Sequence, residues 1–262
     1  MTRRFSARLS WANLRRNLEP SLGNYLGQTV LEFIFPSPCP LCQRKAEAVF
    51  CKDCTGKILD GRRLNPQVAA PDLPPLYCWG HYDGTLKQSL ARLKYDRNPQ
   101  VAKPLGQWLA ELWHTQASSI GHPGSKRPGS GRPIVVPIPL HPERQQQRGY
   151  NQAALIAHSF CQHTGLSLRS QGLSRTRATT AQYGLSRLER YQNLQRAFSL
   201  GPDFTHPSRF PSDQAMSRGV ILIDDIFTTG ATLKAAVNTL QKHEIPVTAL
   251  LAIAAAERSP TE

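Results

Sequence analysis

Apolar positions in this chain follow two patterns. Residues 134–138 and 220–223 are unbroken apolar runs, and 247–256 is another apart from Thr248; none shows polar alternation, which predicts strands covered on both faces, the kind found in parallel sheets. Residues 76–82 predict another strand, closed by an Asp83-Gly84 turn. Elsewhere the spacing is helical. Leu86, Leu90 and Leu93 form one stripe, and Val101, Leu105, Trp108, Leu109 and Leu112 a second. A third helix opens at Asn151 and runs through Cys161, and a fourth carries Leu233, Val237 and Leu240. Strands alternating with helices predict an α/β domain built on a parallel sheet.

Ahead of this domain, Leu22, Tyr25, Leu26, Val30, Phe33 and Ile34 predict a helix over 21–35, stopped by Pro36 and Pro38. Residues 61–75 are Pro-rich and read as a linker, and 118–132 and 199–217 read as spacers. The expected organisation is a basic N-terminal extension with its helix over 1–35, a cysteine module over 36–61, and the α/β domain over 76–262.

The chain of 262 residues has room for one good-sized domain and a smaller module. Its apolar stretches fall short of the ~20 residues that span a bilayer. Residues 1–18 hold Arg3, Arg4, Arg8, Arg15 and Arg16 without an acid, and lack the apolar core of a secretory signal. A cytoplasmic protein is expected; an organelle transit peptide is the other reading of that leader. The formal net charge of +14 draws polyanions, whether nucleic acid, a membrane surface or a charged phosphate substrate, without choosing among them.

Chemistry concentrates in two places. Cys39-x-x-Cys42 and Cys51-x-x-Cys54, separated by eight residues, provide four thiolates in two knuckles, the donor set of a closed tetrahedral structural zinc site. The other two cysteines, Cys78 and Cys161, sit alone in apolar patterns and read as core thiols. The second place begins where the run 220–223 meets Asp224 and Asp225 and then Thr228, Thr229, Gly230, Ala231 and Thr232 before a helix. Free N–H groups and the positive dipole end at a helix start bind phosphate. Carboxylates at a strand end accept hydrogen bonds from sugar hydroxyls. A phosphorylated sugar is the implied ligand, and neither a P-loop nor a Rossmann fingerprint is present.

Arg144 and Arg148, after the strand at 134–138, can face the same anion. Residues 141–197 hold eight arginines against Glu143 and Glu189. The donor-rich stretch 174–198 reads as a loop that folds over a ligand or as a solvated surface. Lys94, Tyr95 and Arg97 read equally as a solvated helix end or as substrate contacts.

The stretch 224–232 closely resembles the phosphoribosyl-diphosphate motif of type I phosphoribosyltransferases. The wider set resembles the ComF family of competence-associated, phosphoribosyltransferase-like proteins. It comprises the four-cysteine knuckle, Tyr82-Asp-Gly-x-Leu86, Leu93-Lys-Tyr95, Val136-Pro-Ile-Pro139, Arg148-Gly-Tyr-Asn-Gln152, Arg175-x-Arg177-x-x-x-Ala-Gln182-x-x-Leu185, Arg190-x-x-Asn193 and Asp224-Asp225-x-x-Thr-Thr-Gly-Ala-Thr232. The resemblance covers about residues 30–256. It implies a type I phosphoribosyltransferase fold, a parallel sheet flanked by helices, with a small N-terminal zinc-binding module. Asp224 and Asp225 would hold the ribose hydroxyls as the catalytic pair, and Thr228 to Thr232 would wrap the 5-phosphate. The expected cofactors are structural Zn2+ and Mg2+ entering with phosphoribosyl diphosphate. The expected activity is transfer of a phosphoribosyl group to an acceptor in DNA uptake. The alternative is a non-catalytic sensor of phosphoribosyl diphosphate that holds single-stranded DNA, with competence or DNA-processing proteins as partners.

Overall fold

The computed structural model describes residues 38–116, 132–175, 197–206 and 219–256. The helix predicted over 21–35, the N-terminal arginines, most of the stretch 174–198 and the greater part of both spacers lie outside the described residues. Six strands form the main sheet: β1 (Gln67–Val68), β2 (Leu76–His81), β8 (Val247–Ala255), β7 (Val220–Phe227), β3 (Ile134–Pro137) and β4 (Ser167–Leu168), in that spatial order. All neighbours are parallel except β1, which runs antiparallel to β2. A separate antiparallel pair joins β5 (Leu173–Arg175) to β6 (Phe198–Leu200).

Both faces of the main sheet are covered, which explains the absence of alternation in the sequence. Along β7, Ile221 and Ile223 enter one core while Val220 and Leu222 enter the other. The first core is closed by α2 (Gly84–Tyr95), α3 (Ala102–Gln116) and α5 (Gln152–Thr164), through Leu90, Leu93, Leu105, Leu109, Ile156 and Phe160. The second is closed by α7 (Ala231–Gln241) through Leu233, Val237 and Leu240, together with Leu173 and Phe198 of the small sheet. The helix pair α3 and α5 touches backbone to backbone. A Cβ on Gly106 would lie 2.5 Å from the Ile156 carbonyl oxygen, and the Ser159 hydroxyl donates to the Lys103 carbonyl at 2.7 Å.

Two segments differ from the expectation. Residues 61–75 are not a free linker. The Arg63 N–H donates to the Trp79 carbonyl at 3.0 Å, the Cys78 N–H donates to the Pro66 carbonyl at 2.8 Å, and β1 pairs with β2, so this segment completes the sheet edge. Main-chain pairing carries no side-chain signature, and the prolines masked it. The spacer at 199–217 likewise begins with β6 and the short helix α6 (Pro202–Thr205).

The cysteine segment packs into the first core rather than standing apart. Cys39, Phe50 and Cys54, with Ile58 of α1 (Lys52–Leu59), are buried there. Phe50 stacks on Trp108 of α3 with centroids 6.3 Å apart, and Trp108 stacks on Trp79 of β2 at 5.2 Å. No described helix is long and apolar enough to cross a membrane.

Strands β3 and β7 are neighbours whose onward connections diverge, since β3 leads outward to β4 and β7 leads the other way to β8. At such a point the loops leaving the two carboxyl ends part and open a crevice.

Candidate functional site

The first loop of that crevice follows β3. The Ile138 N–H continues the ladder by donating to the Ile223 carbonyl at 2.9 Å, after which α4 (Pro142–Arg148) ends at Gly149 with φ of 85°. Asn151 then caps α5, its side-chain oxygen accepting from the Ala153 N–H at 3.0 Å. Its amide donates back to the Ile138 carbonyl, also at 3.0 Å. One side chain therefore ties both ends of the loop that presents Arg144 and Arg148.

The second loop follows β7, which extends past the apolar run through Asp224, Asp225 and Phe227. Residues 228–230 turn into α7, with Gly230 at φ of 79° in the N-cap position. A Cβ there would meet the Phe227 ring at 2.9 Å, so glycine serves both the backbone angle and the space.

Between the loops lies a cavity of about 360 Å3. Its walls include Asp224, Asp225, Thr228, Thr232, Arg144, Arg148, Lys94 and Arg175. The structure thus brings together both acids, both predicted arginines and two of the predicted threonines. Thr229, Gly230 and Ala231 line a different, larger cavity of about 690 Å3 on the outer side of the turn, walled by Ala69, Ala70, Asp72 and Leu73 of the segment 61–75. In that outer cavity Lys234 pairs with Asp72 at 2.9 Å. The Thr229 hydroxyl accepts from the Ala231 N–H at 3.4 Å.

The two aspartates are held differently. Asp225 is buried and forms an ion pair with Lys94, Nζ to Oδ2 2.9 Å, the two side chains being 7 % and 14 % exposed. Asp224 accepts from the Asp225 N–H at 2.9 Å. Burial pushes the Asp224 carboxyl up to about 7, and the Asp225 carboxylate adds to this; that N–H, Lys94 and Arg175 pull the other way. Burial lowers the Arg175 pKa, reinforced by the Arg144 charge and opposed by Asp224. Arg175 sits on β5, its guanidinium 5.4 Å from the Phe198 ring centroid. Its side chain lines the cavity, and residues 176–196 of the same donor-rich stretch lie outside the described residues.

Lys94 was the ambiguous residue of the sequence, and the structure places it inside the cavity. Nothing local announces this, because its partner is on a distant strand. The Tyr150 hydroxyl, buried, donates to the Leu93 carbonyl at 2.6 Å and fixes the end of α2 that carries Lys94. Arg148 lies over the Tyr95 ring at 5.6 Å and donates to Gln152 at 2.6 Å.

The cysteine cluster is built over sixteen consecutive positions, 39–54. Its four sulfur atoms all lie within 4.8 Å of one another, compatible with the roughly 3.8 Å edges of a tetrahedron of thiolates about 2.3 Å from zinc. Cys51 is the N-cap of α1 and Cys54 lies in its first turn, where the helix dipole favours a thiolate. Burial works against a Cys39 thiolate, yet N–H groups of Cys51, Cys42 and Leu41 hold its pKa below the usual thiol value. The Arg44 side chain lowers Cys42 to about 6. Burial raises Cys54, with the neighbouring sulfurs adding to it. These four residues can hold a metal ion such as zinc.

The structure defines a mixed α/β protein with a two-acid, multi-arginine crevice at a sheet switch point and a four-cysteine cluster packed into its core. No family model matches the chain. Competence protein F of Haemophilus influenzae is 34% identical over 209 residues, covering 78% of this chain and 84% of that protein. DNA utilization protein YhgH of Escherichia coli is 27% identical over 203 residues, covering 74% and 80%. Competence protein ComFC of Bacillus subtilis is 27% identical over 206 residues, covering 77% and 70%. The chain belongs to the ComF family.

Proposed function

We propose that this chain has a type I phosphoribosyltransferase fold and binds phosphoribosyl diphosphate with magnesium in the 360 Å3 cavity. It then transfers the phosphoribosyl group to an acceptor. The observation that carries the reading is the pairing of Asp224 and Asp225 with Arg144, Arg148, Arg175 and Lys94 around one crevice, with Thr228 and Thr232 beside the start of α7. The carboxylates suit ribose hydroxyls, the helix start suits a 5-phosphate, and the arginines suit a diphosphate through paired N–H donors. In the reaction the C1–O bond breaks with its electron pair leaving on pyrophosphate, and a lone pair of the acceptor forms the new bond to C1. The chain's own contribution is positioning and stabilisation of charge on the departing group. Magnesium, carried by the diphosphate, supplies further neutralisation of that charge.

Two relatives carry names that speak of competence and another of DNA utilization, and the net charge of +14 favours association with a polyanion. We therefore place the activity in DNA uptake or utilization, with single-stranded DNA as a partner. We assign the cysteine cluster one structural zinc ion. Calorimetric titration of phosphoribosyl diphosphate with magnesium tests the central reading. Asp225→Asn should weaken binding by about tenfold to a hundredfold, the worth of one charge-assisted hydrogen bond. Thr232→Val should weaken it less. Absence of binding by the parent at millimolar ligand would overturn the assignment.

A further inference from the structure

An ammonium group removed from water is costly unless it is paired. Lys94 is such a group: only 14 % exposed, at the end of α2, with its Nζ 2.9 Å from Asp225 Oδ2. The surrounding chain holds it there. The Tyr150 hydroxyl binds the carbonyl of the preceding residue, Leu93, and Arg148 of the same loop packs over the ring of the following residue, Tyr95. The backbone is held at Leu93 while the four-carbon side chain remains able to turn, since a lysine is a flexible point charge with three donors.

The lining charges are unequal. Lys94, Arg144, Arg148 and Arg175 face Asp224 and Asp225 among the described residues, so the cavity as it stands has cations in excess. The Lys94 contact is an ion pair that leaves Oδ2 without a hydrogen-bond donor, so a ribose hydroxyl entering there competes with the ammonium for the same carboxylate. The displaced ammonium then needs another anion within reach, and a diphosphate between the two loops provides one.

We infer, resting on the proposed ligand, that Lys94 is a diphosphate-binding residue that serves as counter-ion to Asp225 and passes to the diphosphate when phosphoribosyl diphosphate enters. The ion pair is thus a placeholder that keeps Asp225 ionised and in position until the sugar replaces the ammonium. No bond is made or broken in this exchange, and the total charge is unchanged.

The experiment compares three probes by calorimetry: phosphoribosyl diphosphate with magnesium, inorganic pyrophosphate with magnesium, and ribose 5-phosphate. Lys94→Met should weaken the first two by about tenfold or more, a lost charge-assisted contact, and leave ribose 5-phosphate equal or tighter. Asp225→Asn should act in the opposite sense on pyrophosphate, tightening it severalfold because Lys94 is released, while weakening both ribose ligands. Because Lys94→Met strands a buried carboxylate, the Lys94→Met/Asp225→Asn double variant serves as the folded control and should keep the loss of pyrophosphate affinity. Equal weakening of all three probes in Lys94→Met, with pyrophosphate affinity restored in the double variant, would show a merely structural ion pair and overturn the inference. Unchanged pyrophosphate affinity in both would also overturn it, leaving the proposed function intact. A parent that binds pyrophosphate but not phosphoribosyl diphosphate would instead remove the proposed function, and this inference with it.

Discussion

The cysteine cluster and the carboxylate crevice each crowd anionic groups together, and the fold treats them in opposite ways. In the crevice the acids come with their own cations. Lys94 pairs with Asp225, and Arg175 lies close enough to Asp224 to stabilise its charge. The cluster has Arg44 at its rim, 3.5 Å from Cys42 Sγ and 2.8 Å from Asp53, but four sulfurs within 4.8 Å of one another cannot all be ionised without a central cation. A site with internal counter-ions keeps its shape when empty. A site whose neutralising charge comes from outside depends on that charge for its fold.

Removing metal is the largest perturbation of this contrast. We expect one zinc per chain, and expect a chelator or Cys51→Ser to lower thermal stability by several kcal/mol, since metal binding supplies folding energy to such modules and this one is part of the first core. Differential scanning calorimetry with metal analysis measures it. Purified protein with no zinc and an unchanged transition after chelation would erase the difference between the regions.

Asp224 gives the next effect, with a sign set by its pKa. The folded carboxyl sits at about 7 against 3.8 for the unfolded reference, so between those values the folded state binds a proton the unfolded state has lost. Stability from this group is therefore full below about pH 4 and is lost as pH rises to 7. Asp224→Asn should match the parent near pH 4 and exceed it at pH 8 by on the order of a few kcal/mol. A constant offset across that range in urea unfolding would contradict the burial argument. The smallest effect belongs to the rim of the cluster. The Arg44 and Asp53 side chains are 60% and 61% exposed, so Asp53→Asn should leave the unfolding transition nearly unchanged, and more so in high salt. A clear loss of stability would mean that the cluster, like the crevice, relies on neighbouring side-chain charge.

The two regions were also unequally legible in the sequence. All four sulfur ligands fall within 39–54, so spacing alone delivers the cluster. The buried strands were legible because β3, β8 and the first half of β7 are covered on both faces and so carry apolar residues at almost every position. The acids and the turn 228–232 could be read as a unit because strand, turn and helix follow in order. The crevice as a whole could not. Lys94 reaches it from α2 and Arg175 from β5, and both side chains look locally like ordinary surface cations, whereas Arg144 and Arg148 could be read from the loop that follows the strand at 134–138. The division of 228–232 between an inner and an outer cavity was equally hidden, since it depends on residues 69–73 folding back over the turn.

The aromatic stack has an optical consequence. Trp79 and Trp108 lie with centroids 5.2 Å apart and planes 16° from parallel, with Phe50 of the cysteine segment against the second ring. Indoles this close and this aligned couple their electronic transitions, so the pair carries a circular-dichroism signature that depends on its geometry. Because Phe50 belongs to the loop between the two cysteine pairs, any loosening of that loop alters the spectrum, whereas events confined to the crevice leave it as it is. The chain therefore carries an intrinsic chromophore that reports on one of its two centres and is blind to the other.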